Sequence, residues 1–458
     1  MYLCQNGTVT EARGRTQAVV IGAGIAGLSL AAAVAGRFDQ VVLVDRDLLP
    51  DSPTPRRGVP QSYHGHVLLA AGQRALEELF PGLGDELVRA GAIPFDPGVE
   101  LGFYRYGALW PRVPSGLQIV ALTRPLLELT IRQRVAALPN VRLRAPVAVS
   151  ALTGDDTRVT GVVLDDGEVV PADLVVDCSG RGSRSDRWLG ALGLPTPSVV
   201  EVKVGVGYAT RLFHRTPDAL ADGVGMLVMP TPPDQKRVGL SLAVEGDRWL
   251  VGLGGWHGDH PPHDPDGFRR HARSLPDPTI ADLLDHAEPL TDIAAFQFPS
   301  SRRRRFERLR RPPAGYLAAG DSMCSFNPIY GQGMTCAAME AVALGRLLDR
   351  YPDMSSRMAR AFYRDAARIL ATPWQFAVGA DFAYPETTGR KPPGMDLFNR
   401  YGRRIQLAAQ VDPEVRRTFT SVQQLVAPPT ALWKPKLVAR VFRANRRRAN
   451  DHRASSTA

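Results

Sequence analysis

The residues of this chain whose types and spacing could do chemistry are three clusters of glycine and aspartate. The first is Gly22, Gly24 and Gly27 in "VVIGAGIAGLSL", followed by Asp45 and Arg46 at the end of "QVVLVDR". The G-x-G-x-x-G spacing allows a tight turn at Gly22, close approach of a pyrophosphate at Gly24, and close helix–sheet packing at Gly27. A helix opening at Ile25 and Ala26 aims free amides and its positive end at phosphate, while Asp45 can accept from ribose hydroxyls. The second cluster, "VVPADLVVDCSGRGSRSDRWLG", carries Asp173, Asp177, Gly180, Gly182, Ser183 and Arg187. The third, "GYLAAGDSMCSFNPIYGQGMTC", sets Gly320 and Asp321 after a short apolar run, then Pro328, Gly331, Gln332, Gly333 and Met334 before a helix-forming stretch. That helix mouth offers roughly half a positive charge to whatever lies against it.

The elements needed to position these clusters are legible around them. "QAVVIG" and "QVVLVD" read as short buried strands flanking the small-residue helix "LSLAAAVAGRF", a βαβ dinucleotide unit. The apolar run from Ala18 to Gly36 is long enough to imitate a membrane span, but its spaced glycines and following strand assign it to that unit. Further along, "VELGFYRYG", "LQIVAL", "VKVGVGYATRLF", "GVGMLVMP", "KRVGLSLAVEG" and "DRWLVGLGGW" read as strands of a second, antiparallel sheet. "SSRRRRFERLRR" reads as a solvated turn. Beyond residue 345 the chain reads as helical, with "ATPWQFAVGADFAYPETTG" able to cap a pocket. In "KPKLVARVFRANRRR" a basic face (Lys436, Arg440, Arg443, Arg447) lies opposite an apolar one, suited to a docked helix or to an acidic partner surface.

Composition removes several functions. The net charge is +10 with only five lysines, so the basic balance is arginine and suits anionic ligands; no aromatic-and-basic recognition motif points to nucleic acid. The four cysteines, Cys4, Cys178, Cys324 and Cys336, form no CxxC pair and lack neighbouring histidines, which argues against a metal site or disulfide framework and for a cytoplasmic chain. A second complete G-x-G-x-x-G and a redox-active CxxxxC are both missing, which disfavours two-dinucleotide and disulfide reductases.

The first motif alone leaves FAD and NAD open. Taken together, the three segments resemble class A FAD-dependent monooxygenases, the para-hydroxybenzoate hydroxylase-like flavoproteins: the second cluster looks like their DG fingerprint and the third like their GD fingerprint. The resemblance spans roughly residues 18–345. It implies an α/β fold with a Rossmann-like, GR2-type FAD-binding domain, an inserted antiparallel β-sheet substrate domain and a C-terminal helical region. The corresponding boundaries are 15–95, 120–195 and 300–350 for the FAD domain, 96–119 and 196–299 for the substrate domain, and 351–449 for the helices, with 1–14 and 450–458 expected to be disordered. It further implies that Asp321 bonds the ribityl chain, that the Gly331–Gly333 helix entrance faces the pyrimidine edge of the flavin, and that Arg124 and Val147 lie near the cofactor.

"RRGVPQSYHGHVLLAAG" is similar to the flavin-flanking loop of bacterial polyether epoxidases, which makes Arg57, Gly58 and Val59 cofactor contacts and Arg57, Gln61 and His64 the catalytic candidates. Phe103, Tyr208, Trp256 and Phe298 are the candidate pocket residues. The implied reaction uses electrons from NAD(P)H or a separate flavin reductase, dioxygen, and a flavin C4a-hydroperoxide to epoxidise an alkene in a polyketide or terpenoid intermediate, free or on a carrier protein. Two alternatives stay open: aromatic hydroxylation, and an oxygen-independent saturase of the geranylgeranyl reductase type. No base is evident within the fingerprints, and an olefin needs none, which favours epoxidation; His64, His66 and Tyr63 are the residues able to overturn that. The Asp321-Ser322-Met323-Cys324 run departs from the Asp-Ala-Ala-His of aromatic hydroxylases, and no halogenase W-x-W-x-I-P motif is present.

Overall fold

The computed structural model describes residues 15–216 and 223–456. The run from Ala18 to Gly36 resolves into a strand, Gln17–Ile21, and a helix, Ile25–Ala35, both almost wholly buried. Their continuous rather than alternating apolar character fits a central strand covered on both faces. The strand is the middle member of a five-stranded parallel sheet in the order Tyr316–Ala318, Leu174–Asp177, Gln17–Ile21, Gln40–Val44, Val141–Arg144. The three motif loops therefore leave the carboxyl ends of three neighbouring strands, although more than 290 residues of sequence separate the first from the last.

The helix Gly333–Leu348 packs along Ile25–Ala35, which brings the two motif helices side by side. Gly27 sets a different contact, that of the glycine loop with its own helix: a Cβ there would fall 1.7 Å from the Gly22 carbonyl oxygen, so only glycine lets the loop fold back on the helix.

A nine-stranded sheet lies alongside, built around the 16-residue strand Val199–His214 and its neighbours Arg248–Gly255 and Ala294–Arg304. It is antiparallel except where Gly225–Val228 runs parallel to Leu101–Arg105. Two sequence expectations are corrected here. The "LQIVAL" segment does not join this sheet: Ile119–Ala121 pairs with Ile93–Phe95 in a separate ribbon, where all three of its residues are buried. The "SSRRRR" segment is the end of a strand, not a solvated turn, and Arg303 and Arg304 are buried.

The C-terminal part is helical, led by the 26-residue helix Ser356–Asp381, which carries Pro373 inside it, and closed by Pro435–Ser456. The closing helix buries Leu437, Val441 and Ala444 and keeps Lys436, Arg440, Arg443 and Arg447 in water, the docked arrangement its pattern predicts. Residues 450–456 continue this helix, where disorder was expected; residues 1–14, 457 and 458 lie outside the described residues. Among the described residues no helix is long and apolar enough to cross a membrane, and Cys178, Cys324 and Cys336 are buried free thiols.

Candidate functional site

At one end of the site the glycine loop is held by Asp45, whose carboxylate accepts from the Ala23 amide at 2.6 Å and the Asp47 amide at 2.8 Å. The first amides of the helix beyond Gly24 have no intrahelical acceptor, as at any helix start. A Cβ at Gly24 would meet no protein backbone; its nearest neighbours would be guanidinium nitrogens of Arg124 at 3.8 Å and Arg56 at 3.9 Å. A glycine with no protein backbone over it, flanked by two cations and a helix N-terminus, is a cradle for a pyrophosphate.

Arg124 opens its helix, Arg124–Ala136, and is partly buried; its Nε has no hydrogen-bond partner and lies 3.7 Å from Glu128 Oε2. Burial lowers its pKa most, with a further push from Arg56, while Glu128 and Asp321 oppose. Its Nη1 lies 3.3 Å from His66 Nε2, and His66 Nδ1 lies 2.9 Å from the His64 carbonyl, so His66 donates through Nδ1 and accepts from the arginine.

Arg56, not Arg57, is the arginine the fold brings here. It is buried and joined to Glu128 at 2.6 Å, Asp47 at 2.9 Å and Asp45 at 3.2 Å, whereas Arg57 and Arg46 are exposed. Nothing in "PRRG" separates the two arginines by sequence alone. The Gly58 amide donates to Asp47, Val59 is buried at the head of a short turn, and the Val147 amide donates to the Asp45 carbonyl at 2.8 Å, beside the same strand end.

At the other end, Asp321 sits in the turn Gly320–Ser322 with no side-chain hydrogen bond among the described residues. Burial raises its pKa, and Arg124 and then Arg181 pull it back. Its Oδ1 lies 3.7 Å from the position a Cβ would take at Gly333, so the carboxylate hangs over the mouth of the Gly333–Leu348 helix. The chain reaches that mouth through the turn Pro328–Tyr330 and Gly331, whose φ of +65° suits glycine. No side chain caps the helix, Met334 is buried behind its first turn, and Gln332 Oε1 is buried without a partner. Free amides, a dipole and an unpaired carboxylate can together hold a polyol chain and the negative edge of a planar ring.

The second motif supports this arrangement from within. Asp177, fully buried, accepts from Ser179 at 2.6 Å, Ser183 at 2.6 Å, Tyr316 at 3.0 Å and Ser322 at 3.2 Å, and the Gly180 amide donates to Ser322 Oγ at 2.9 Å. Arg304 then bridges the two loops by donating to the carbonyls of Ser183 and Ser322, both at 2.9 Å. Sequence reasoning missed Arg304 because it lies in a run of four arginines that reads as surface.

Facing the helix mouth is the loop Pro60–Val67. A Cβ at Gly331 would lie 3.5 Å from Val67, and His64 lies on the large sheet beside Tyr208 and Phe296, with ring centroids 6.0 and 5.7 Å away. His64 Nδ1 bonds Thr210 Oγ1 at 2.7 Å; its Nε2 is buried and has no partner. Burial pushes its pKa down to about 4, and that of His66 to about 3, so both rings are neutral at pH 7. Gln61 is half-buried on the same loop and Tyr63 is exposed.

Of the four pocket candidates, Tyr208 keeps partial exposure, whereas Phe103, Trp256 and Phe298 are closed into the core under the sheet. Partly exposed aromatics against that core are instead Phe296, Tyr330, Trp374, Phe376 and Phe382. Their scatter over a strand, a turn and a helix leaves no local pattern to read.

The residues present fit FAD: a phosphate cradle at Gly24, an unpaired carboxylate at Asp321, and an uncapped helix at Gly333 lie in line on one sheet edge. The comparisons with known proteins agree. Residues 15–351 match the FAD binding domain family model. The chain is 32% identical over 429 residues to Protein Rv3254 of Mycobacterium tuberculosis, covering 88% of each. It is 27% identical over 363 residues to 6-methylpretetramide 4-monooxygenase of Streptomyces rimosus, covering 76% of this chain and 79% of that one. A 2-methyl-3-hydroxypyridine-5-carboxylic acid oxygenase shares the fold at a TM-score of 0.61 and 19% identity, over 90% of this chain and 98% of the other. The chain belongs to the FAD binding domain family and is an FAD-dependent monooxygenase.

Proposed function

We propose that this monooxygenase hydroxylates an aromatic, hydroxyl-bearing ring of a hydrophobic natural-product intermediate, with electrons from NAD(P)H. The observation that carries this reading is His64. It supplies a polar ring nitrogen, buried and unpartnered, among Tyr208 and Phe296 on the large sheet, on the loop whose Val67 neighbours Gly331. An unpartnered buried nitrogen calls for a polar group on the ligand. A phenolic or enolic hydroxyl answers that need: by donating its proton to Nε2 it gains anionic character, which raises the electron density of the ring that must attack oxygen. The name of the Streptomyces rimosus relative, a monooxygenase acting on 6-methylpretetramide, points the same way.

The bound FAD would supply hydride acceptance from NAD(P)H and activation of dioxygen, one oxygen atom going to the substrate and the other leaving as water. The chain's own part is binding and exclusion of water. Arg56, Arg124 and the Ile25 helix would hold the diphosphate, Asp321 would accept from the ribityl hydroxyls, and the Gly333 helix would stabilise negative charge on the ring edge. His64, fixed through Thr210, orients the substrate against that ring. Being neutral at pH 7, His64 acts there by hydrogen bonding rather than by full proton removal.

Alkene epoxidation is the second reading. The weak basicity of His64 and the aromatic lining around it suit an olefin, which needs no activation. Incubation with FAD, NAD(P)H and labelled dioxygen, against panels of phenolic polycycles and of polyenes, separates them by mass spectrometry. Label on a phenolic ring is the expected result. Label only on an olefin selects epoxidation, and substrate turnover in the absence of oxygen contradicts both.

A further inference from the structure

Asp381 ends the 26-residue helix Ser356–Asp381 and is fully buried. Its Oδ1 accepts from three donors on two other elements: Asn327 Nδ2 at 2.9 Å, Trp256 Nε1 at 3.1 Å and the Tyr330 hydroxyl at 3.5 Å. Its Oδ2 has no partner, and among the described residues no cation pairs with it. Asn327 and Tyr330 bracket Pro328 in the loop that delivers Gly331 and the Gly333 helix, whereas Trp256 follows the substrate-sheet strand Arg248–Gly255. Asn327 reaches further: its Oδ1 accepts from the Tyr208 hydroxyl at 2.9 Å, beside His64. One carboxyl group thus joins the flavin loop to the sheet opposite it.

We propose that Asp381 is a positioning residue whose ionised carboxylate ties the flavin-binding loop to the substrate sheet, and that the tie slackens when the carboxyl takes up a proton. The inference rests on the assignment of the Asn327–Gly333 loop to the flavin. Hydrogen bonds to a charged acceptor are roughly twice as strong as those to a neutral one, so all three contacts weaken together on protonation. The proton goes to Oδ2, the oxygen without donors, where it meets no acceptor.

Burial raises the carboxyl to about 7, against the opposing pull of Trp256, Asn327 and Tyr330. The titratable groups facing Asp381 are Tyr208 from the sheet, Tyr330 from the loop and Tyr384 beyond the helix end, and burial pushes each of them up, so they stay neutral through this range. Arg105 acts on Tyr330 and Tyr384, and Glu386 on Tyr384. His257 bonds Thr387, whose hydroxyl donates to the Asp381 carbonyl, and burial lowers its pKa. Two other acids of the same motif are raised by burial: Glu340, to about 7, which accepts from the Gly320 amide at 2.7 Å, and Asp321, which Arg124 and Arg181 pull back.

The test is hydrogen exchange of the Asn327–Gly333 peptide in the full-length protein without flavin, at pH 6 and pH 8, normalised to the intrinsic rate at each pH. Wild type should show protection on the order of tenfold greater at pH 8. Asp381→Asn, which keeps the shape but not the charge, should show the wild-type pH 6 level at both values, and Glu340→Gln should keep the wild-type difference. Tyr330→Phe, which removes one donor to the charged form, should move the midpoint to higher pH. Wild-type protection at pH 8 in Asp381→Asn, or an unmoved midpoint in Tyr330→Phe, overturns the proposal. FAD titration of the wild type in the same buffers tests the underlying assignment separately. Tight FAD binding without a loop response sinks the tie alone, whereas a loop response in a protein that refuses FAD sinks the flavin assignment and leaves the tie standing.

Discussion

The phosphate end of the site and its substrate face are built from different materials. Around Gly24 the working parts are backbone amides and a helix dipole, with Asp45, Arg56 and Glu128 locked to one another around them. Across from the Gly333 helix, the parts are side chains alone: His64 on Thr210, Tyr208 on Asn327, and half-buried aromatics from several elements. Backbone-made sites demand glycine at fixed spacing, because only glycine lets a ligand or a carbonyl come close. Side-chain-made sites demand only that suitable residues meet in space. The first end is therefore constrained by local geometry and the second by packing.

Substitutions that exploit this contrast have graded effects. The largest belongs to Gly27→Val. Its Cβ would overlap the Gly22 carbonyl at 1.7 Å, so the variant should lose roughly 3 kcal/mol or more of stability in denaturant unfolding, flavin or no flavin. Arg56→Ala comes next. It would leave Asp45, Asp47 and Glu128 without their shared cation, at a cost of roughly 3–5 kcal/mol, while Arg57→Ala on the exposed neighbour should stay within about 0.5 kcal/mol. Equal losses for the two arginines would erase the distinction between them.

On the substrate face the expectation reverses. His64→Phe should keep FAD affinity and lower turnover of a phenolic substrate by ~10- to 100-fold, as measured by product formation against flavin content. Unchanged turnover would favour the olefin reading.

The smallest effect is in the pH dependence of stability. Asp381 and Glu340 are raised to about 7 in the fold, above the ordinary carboxylate range near 4. The folded state therefore holds more protons than the unfolded state between about pH 4 and 7, and stability falls as pH rises through that window. Asp381→Asn should flatten the fall, by on the order of 2 °C in Tm across it. The global effect has the opposite sign to the loop tie, which tightens as Asp381 ionises.

The same contrast explains what the sequence disclosed. Gly22, Gly24, Gly27, Asp321, Gly331 and Gly333 were readable because each glycine answers a backbone requirement, and the strand–helix–strand pattern placed them. Arg56 gave no signal apart from Arg57, because a loop between strand and turn has no period to fix which arginine points inward. Phe103, Trp256 and Phe298 were named as pocket residues on aromatic type and strand location, but the face of a strand that meets solvent and the face that meets a covering helix look alike when both are apolar. The helices Met395–Ala409 and Pro413–Gln423, with the closing helix, contribute to the core that covers those three residues. Asp381 had no signal at all: a helix-terminal aspartate after "FAVGA" resembles an exposed end until Trp256, Asn327 and Tyr330 are brought around it.

The central claim is that the ends of three neighbouring strands hold one FAD through the open face at Gly24 and the unpaired carboxylate at Asp321. Fluorescence titration of FAD into the full-length protein, with Gly24→Val and Asp321→Ala beside the wild type, tests it most directly. The account predicts saturation at one equivalent for the wild type, and folded variants that bind at least ~100-fold more weakly. The first substitution fills the phosphate space with a branched side chain, and the second withdraws the acceptor for the ribityl hydroxyls. Wild-type affinity in both folded variants would contradict it.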